Sequence, residues 1–143
     1  MFSPQTKIRV RYAETDKMGY VYYGNYATYF EVARVEALRS LGINYKEMEG
    51  KGVMLPVLSY SIKFFKPAYY DEELTIKLFI KEMPQARIHF HFETFNESTI
   101  KINQAEVVLV FVDMEKNKPC SAPEELTSKL KSFGLWKSIG QSF

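Results

Sequence analysis

The sequence predicts an α+β protein, an antiparallel five-stranded sheet curled around one long central helix. Three observations carry that prediction. Apolar and polar residues alternate in five separate stretches, the period of a strand with one buried face. One stretch, Asn25 to Leu41, instead repeats at helical spacing. The connections between the later strands are short, which favours antiparallel neighbours, and such a meander has one face to cover with one substantial helix.

The elements follow in order. Ile8, Val10 and Tyr12 alternate with Lys7, Arg9 and Arg11, a half-buried strand. Tyr26, Tyr29, Phe30, Ala33, Ala37 and Leu41 then form a stripe about 120° wide, the core-facing side of a helix. Val32, Val35 and Leu38 lie outside it, so this helix is expected to be covered on more than one side. Gly42 stands where a helix end favours positive φ. A short helical turn is expected around Tyr45 to Glu49. Alternation returns at Leu58 to Phe64, Leu74 to Ile80, Arg87 to Glu93 and Ile100 to Met114. In the last of these the phase slips near Asn103-Gln104, which predicts a bulge, and the run from Val107 predicts burial on both faces. The connections Tyr70 to Glu73, Met83 to Ala86 and Asn96 to Thr99 are expected to join antiparallel neighbours. Pro123 is expected at the first position of a final helix with Leu126 and Leu130 facing inward.

With 143 residues, no repeat and no linker-like stretch, residues 1–143 read as a single domain. Apolar residues at 46% and charged ones at 25% exclude a disordered tail. The charge of +2 argues against a strong nucleic-acid binder, which shows a clustered basic excess. The longest apolar run, Val107 to Val112, falls far short of the roughly 18 residues of a membrane span. Met1 to Lys7 lacks the apolar core of a secretory signal. The lone cysteine, Cys120, excludes an internal disulfide, so the expected location is cytoplasmic. Aromatic residues reach 15%, enough that rings either pack or bind here.

The chemistry concentrates between the first strand and the helix, from Arg11 to Tyr26. A carboxylate, Asp16, and a glycine turn at Gly19 lead into a helix whose first backbone N–H groups and dipole favour negative charge. Partly shielded by Tyr20, Tyr22 and Tyr23, Asp16 suits a base or nucleophile acting on a bound carbonyl. An aspartate before a glycine equally suits closing the turn through its own side chain.

The stretch Tyr12-x-Glu14-Thr15-Asp16-x-x-Gly19-x-Val21-Tyr22-Tyr23-x-Asn25-Tyr26, followed by Tyr29-Phe30-Glu31-x-Ala33-Arg34, resembles the hotdog-fold acyl-CoA thioesterases of the 4-hydroxybenzoyl-CoA thioesterase type. So does Ser59-Tyr60-Ser61-Ile62-x-Phe64-x-Lys66-Pro67-Ala68-x-x-Asp71-Glu72, and the similarity runs from about Lys7 to Pro123. The resemblance implies a hotdog fold and hydrolysis of acyl-CoA to free acid and coenzyme A. It implies Asp16 as the catalytic carboxylate and the Tyr23 backbone N–H, in the first turn of the central helix, as the group that polarises the thioester carbonyl. Gly19, Tyr20, Val21, Tyr22 and Tyr26 are then expected around the substrate. No metal or bound cofactor is expected, coenzyme A being part of the substrate, and a homodimer or homotetramer is implied. Many bacterial members carry histidine at the position of Tyr23, whereas hydroxybenzoyl-type members carry tyrosine; either supplies the N–H. A non-catalytic acyl-CoA sensor on the same fold is the alternative, against which the carboxylate at Asp16 speaks.

Other candidates are weaker. His89 and His91 share one strand face but lack a third metal ligand nearby. Gly50-Lys51-Gly52 reads as a turn, Asn96-Glu97-Ser98 as a hairpin tip, and Cys120 as an idle thiol. Glu31 and Arg34 are spaced to pair on the helix surface. Lys66, Lys81 and Arg87 are explained by solubility as well as by an anionic nucleotide.

Overall fold

A computed structural model describes residues 1–134 and 136. Five strands form the main sheet in the order β1-β4-β5-β6-β3, all neighbours antiparallel: β1 (Gln5–Arg9), β3 (Val57–Phe64), β4 (Glu73–Phe79), β5 (Arg87–Phe95) and β6 (Lys101–Val110). The short strands β2 (Val53–Met54), β7 (Val112–Asp113) and β8 (Lys118–Pro119) make a second sheet.

The long helix α1 (Asn25–Ser40) buries Tyr26, Tyr29, Phe30, Ala33 and Ala37, the expected stripe. Phe30 stacks on Phe92 of β5 with ring centroids 4.5 Å apart, and Tyr26 meets Phe64 of β3 at 5.6 Å. The helix thus covers the inner face, against which Leu74, Ile76, Leu78, Ile88 and Phe90 are fully buried. Leu38 is also buried by its own chain, whereas Val32 is exposed. Gly42 follows the helix with φ +77°. Short α2 (Tyr45–Gly50) is capped by Asn44, whose Oδ1 accepts from the N–H groups of Lys46 and Glu47, and α3 (Glu124–Lys131) buries Leu126 and Leu130.

Several expectations need correction. The first strand ends at Arg9, not Tyr12, because the Glu14 carboxylate accepts the Arg11 N–H and winds Tyr12–Glu14 into a 3₁₀ turn. Strands β3 and β4 are not neighbours; the sheet places β6, β5 and β4 in turn beyond β3. The segment 65–72 therefore crosses from the β3 edge to β4, the strand next to the opposite edge, and it is held on the way by Phe65 and Lys66 N–H groups donating to Ile102 O and by Val21 N–H donating to Ala68 O. The bulge centres on Ile102, one residue earlier than expected: Thr94 pairs with Asn103 and Phe95 with Lys101. Burial on both faces from Val107 to Leu109 holds, but the strand breaks at Phe111, whose N–H donates to Ala86 O as the chain passes into the second sheet. Pro123 precedes α3 rather than opening it. Arg34 does not pair with Glu31 at the surface; it is buried, with Tyr45 of α2 beside it.

Candidate functional site

The loop between β1 and α1 is built on Glu14. Its carboxylate is buried, with Oε1 accepting from the Arg11 N–H and the Tyr29 O–H at 2.8 Å each, and Oε2 accepting from Arg11 Nη2 at 2.8 Å and Nε at 3.2 Å. Burial by itself raises the Glu14 pKa; the bonds from Arg11 and Tyr29 outweigh it and hold the group below its ordinary value, as an anion. The Tyr29 phenol is pushed up, by burial first and by Glu14 second. The Glu14 backbone carbonyl also accepts from Tyr22 N–H at 2.9 Å and Asn25 Nδ2 at 2.8 Å.

From that anchor the chain makes a tight excursion. Thr15 bridges Val21, Asp16 N–H donates to Tyr20 O, and Gly19 N–H donates to Asp16 O, all at the neck of a turn. Gly19 takes φ +82°, which a side chain resists. Asp16 Oδ1 accepts the Met18 N–H at 2.8 Å, so the turn-closing role is real. Its carboxylate remains exposed at the edge of a cavity.

That cavity holds about 320 Å³ and is lined by Asp16, Tyr20, Val21, Tyr23 and Tyr26 on one side and by Phe64, Phe65, Lys66 and Pro67 on the other. Of the residues expected around a substrate, Gly19 and Tyr22 do not line it: Gly19 shapes the turn, and the Tyr22 ring lies against Tyr23 with centroids 4.7 Å apart. That neighbouring phenol raises the pKa of Tyr22. The Tyr22 ring also explains Gly24, where an added Cβ would sit 2.8 Å from the ring. Burial raises the Tyr26 phenol to about 12, against a backbone hydrogen bond with Ala68 that lowers it, so it stays protonated. The Phe64–Pro67 wall was not named as a site from sequence, although Phe64, Lys66 and Pro67 belong to the second motif block; a strand end and its following turn give no local sign that they face a loop fifty residues earlier.

Tyr23 does not sit in the first turn of the helix. It precedes the N-cap residue Gly24 and is 67% exposed. Among the described residues nothing accepts its N–H or that of Gly24, while the Asn25 N–H is already given to Tyr22 O. Two free donors thus stand at the entry of a sixteen-residue helix, where the helix dipole favours negative charge, and one of them belongs to Tyr23, which lines the cavity together with Asp16. A larger concavity of about 680 Å³ lies on the outer sheet face among Ser61, Lys63, His91, Glu93 and Gln104, and it contains none of these groups. Among the described residues no three His, Cys, Asp or Glu side chains gather as metal ligands.

Comparison with known proteins decides the family. The thioesterase-like superfamily matches residues 10–130. This chain belongs to that superfamily. YneP of Bacillus subtilis is 35% identical over 122 residues, covering 83% of this chain and 86% of that one. The acyl-CoA thioester hydrolase YbgC of Escherichia coli is 31% identical over 124 residues, covering 87% of this chain and 92% of its own. Among solved structures, the DHNA-CoA thioesterase of Staphylococcus aureus superposes with a TM-score of 0.87 at 32% identity, covering 93% of this chain and 91% of that one. The protein is a thioester hydrolase on the hotdog fold, as the family resemblance implied, and the site described above is the candidate active site of this thioesterase.

Proposed function

We propose that this thioesterase hydrolyses acyl-CoA to a free acid and coenzyme A in the cavity between Asp16 and Tyr23. The observation that carries the reading is that Asp16, the motif carboxylate that lines the cavity, shares that aromatic-walled space with Tyr23, whose N–H before α1 is unbonded. The substrate class is supported by the acyl-CoA thioester hydrolase YbgC and the DHNA-CoA thioesterase among its relatives.

The thioester carbonyl oxygen accepts from the Tyr23 N–H, and the developing oxyanion strengthens that bond, a contribution of roughly 3–4 kcal/mol per donor in comparable sites. Asp16 acts in one of two roles. As nucleophile it attacks the carbonyl carbon, expels the coenzyme A thiolate and leaves a mixed anhydride that water hydrolyses. As general base it takes a proton from the attacking water, and the collapsing intermediate expels the same thiolate. The thiolate is a good leaving group, so no separate general acid is required, and water is the only co-substrate. Neither metal nor bound cofactor enters the scheme. Tyr20, Val21 and Tyr26 contribute apolar wall, with Gly19 and Tyr22 supporting the turn and the helix entry.

A homodimer belongs to the same proposal, with a homotetramer as its doubled form. Strand β3 is a sheet edge eight residues long that carries Val57, Leu58, Tyr60 and Phe64 exposed, a surface that monomers avoid leaving bare. Pairing of β3 with β3 of a second copy extends the sheet, and Phe64 and Phe65 bring that edge to the cavity. A single domain and cytoplasmic residence are proposed too, the latter on the free thiol of Cys120.

Steady-state hydrolysis of a panel of short-chain, long-chain and aromatic acyl-CoA, read by released thiol, tests the reading. Turnover is expected on at least one class, and Tyr23→Phe is expected to keep most of it, because the backbone N–H remains. Binding of every member with turnover of none points instead to a sensor. A hundredfold fall in Tyr23→Phe at unchanged KM makes the phenol, not the amide, the carbonyl partner.

A further inference from the structure

Glu14 is buried beneath the site and does not line the cavity. Its bonds reach every part that the chemistry needs held. On the strand side it grips Arg11 through the backbone N–H and the guanidinium. On the helix side its carboxylate accepts the Tyr29 O–H from the second turn of α1, and its carbonyl takes the Asn25 side chain in the first. The loop that carries Asp16 leaves directly from Glu14 and returns to it, since the Tyr22 N–H donates to the Glu14 carbonyl. Both ends of that excursion and the start of the helix are therefore pinned to one residue.

We infer that Glu14 is a positioning residue, which fixes the Asp16 carboxylate against the N–H groups before α1 by clamping loop and helix together through Arg11 and Tyr29. The inference rests on the acyl-CoA thioesterase reading of the cavity. It follows from how small a displacement matters: a misplacement of about 1 Å in a reacting group can cost about a hundredfold in rate. Arg11 and Tyr29 do different parts of the work. The guanidinium satisfies Oε2 and keeps the anion in place, while the Tyr29 hydroxyl is the direct link to the helix.

Two substitutions separate the arms. Tyr29→Phe deletes only the O–H and keeps the ring that fills the core. Glu14→Gln keeps one acceptor oxygen for the Arg11 N–H and Tyr29 O–H, but turns an amide NH₂ toward the guanidinium, donor against donor. Steady-state kinetics on the best acyl-CoA, with circular dichroism at the assay temperature, is run on both, on the double variant and on Asp16→Asn. Each single variant is expected to stay folded and to lose about tenfold or more in kcat with KM within about threefold. The double variant is expected to lose less than the product of the two, because both act on one clamp. Wild-type kcat in folded single variants, with only a lower Tm, overturns the positioning role, as does a change confined to KM or a fully multiplicative double variant. Should Glu14→Gln not fold, Tyr29→Phe decides by the same criterion. Full activity in Asp16→Asn removes the thioesterase reading of the site and the positioning role with it, whereas an inactive Asp16→Asn beside active Tyr29→Phe and Glu14→Gln removes the positioning role alone.

Discussion

Strands β3 and β4 carry the same sequence pattern and end in opposite surroundings. Leu74, Ile76 and Leu78 alternate with Thr75 and Lys77, and all three are fully buried. Leu58, Tyr60, Ile62 and Phe64 alternate just as cleanly with Ser59, Ser61 and Lys63, yet Leu58 is 52% and Tyr60 39% exposed. The difference is position in the sheet. Strand β4 lies between β1 and β5 under the helix, whereas β3 is an edge with one neighbour, β6. Alternation states which side of a strand is apolar. What covers that side is set by the strand order and, for an edge, by whatever joins it from outside.

The largest effect expected from this contrast is on stability. Leu78→Ala should lower the free energy of unfolding by about 2–5 kcal/mol, read from urea midpoints at constant slope. Leu58→Ala in a dilute sample should change it by about 0.5 kcal/mol or less. Equal losses at the two positions would break the comparison. A second substitution sharpens it: Leu58→Lys places a charge on the proposed β3–β3 contact and is expected to turn a sedimenting dimer into a monomer with reduced activity, leaving the far-ultraviolet spectrum unchanged. Unaltered assembly in that variant would assign the edge to another role.

A smaller effect concerns pH and contrasts the same sheet with the loop above it. Glu14 has a lowered pKa in the folded protein, so its contribution to stability is complete above the ordinary carboxylate range and is lost as pH falls through the lowered value. Thermal melts between pH 3.5 and 7 should therefore show a shallower acid limb in Glu14→Gln than in the native protein. Superimposable acid limbs would mean that the buried carboxylate is not held as an anion.

Periodicity made most of the fold legible because burial on one face leaves a period in the chain. The stripe of α1 and the inner faces of β4 and β5 were readable for that reason, and so was the slip in β6, displaced by one residue to Ile102. Strand order was not readable. A connection as short in appearance as Tyr70 to Glu73 suggested a hairpin, but the crossing begins at Phe65, and its anchoring depends on Ile102 and Ala68, which no local pattern announces. The site divided in the same way. Asp16, Tyr20, Val21, Tyr23 and Tyr26 lie within one continuous motif and do meet at one cavity. The opposite wall comes from the end of β3, and the residue that holds the loop, Glu14, was hidden because a single acidic side chain shows its burial only when Arg11 and Tyr29 are brought to it.

The central claim is that acyl-CoA hydrolysis proceeds through the Asp16 carboxylate at this cavity. Its most direct test is kcat of Asp16→Asn on the best acyl-CoA, with binding and folding measured in parallel. The amide keeps an oxygen able to accept the Met18 N–H, so the turn should survive, while it neither attacks a carbonyl nor takes a proton from water. A loss of about two orders of magnitude or more in kcat with binding intact is the predicted result. A kcat near that of the native protein would contradict the account.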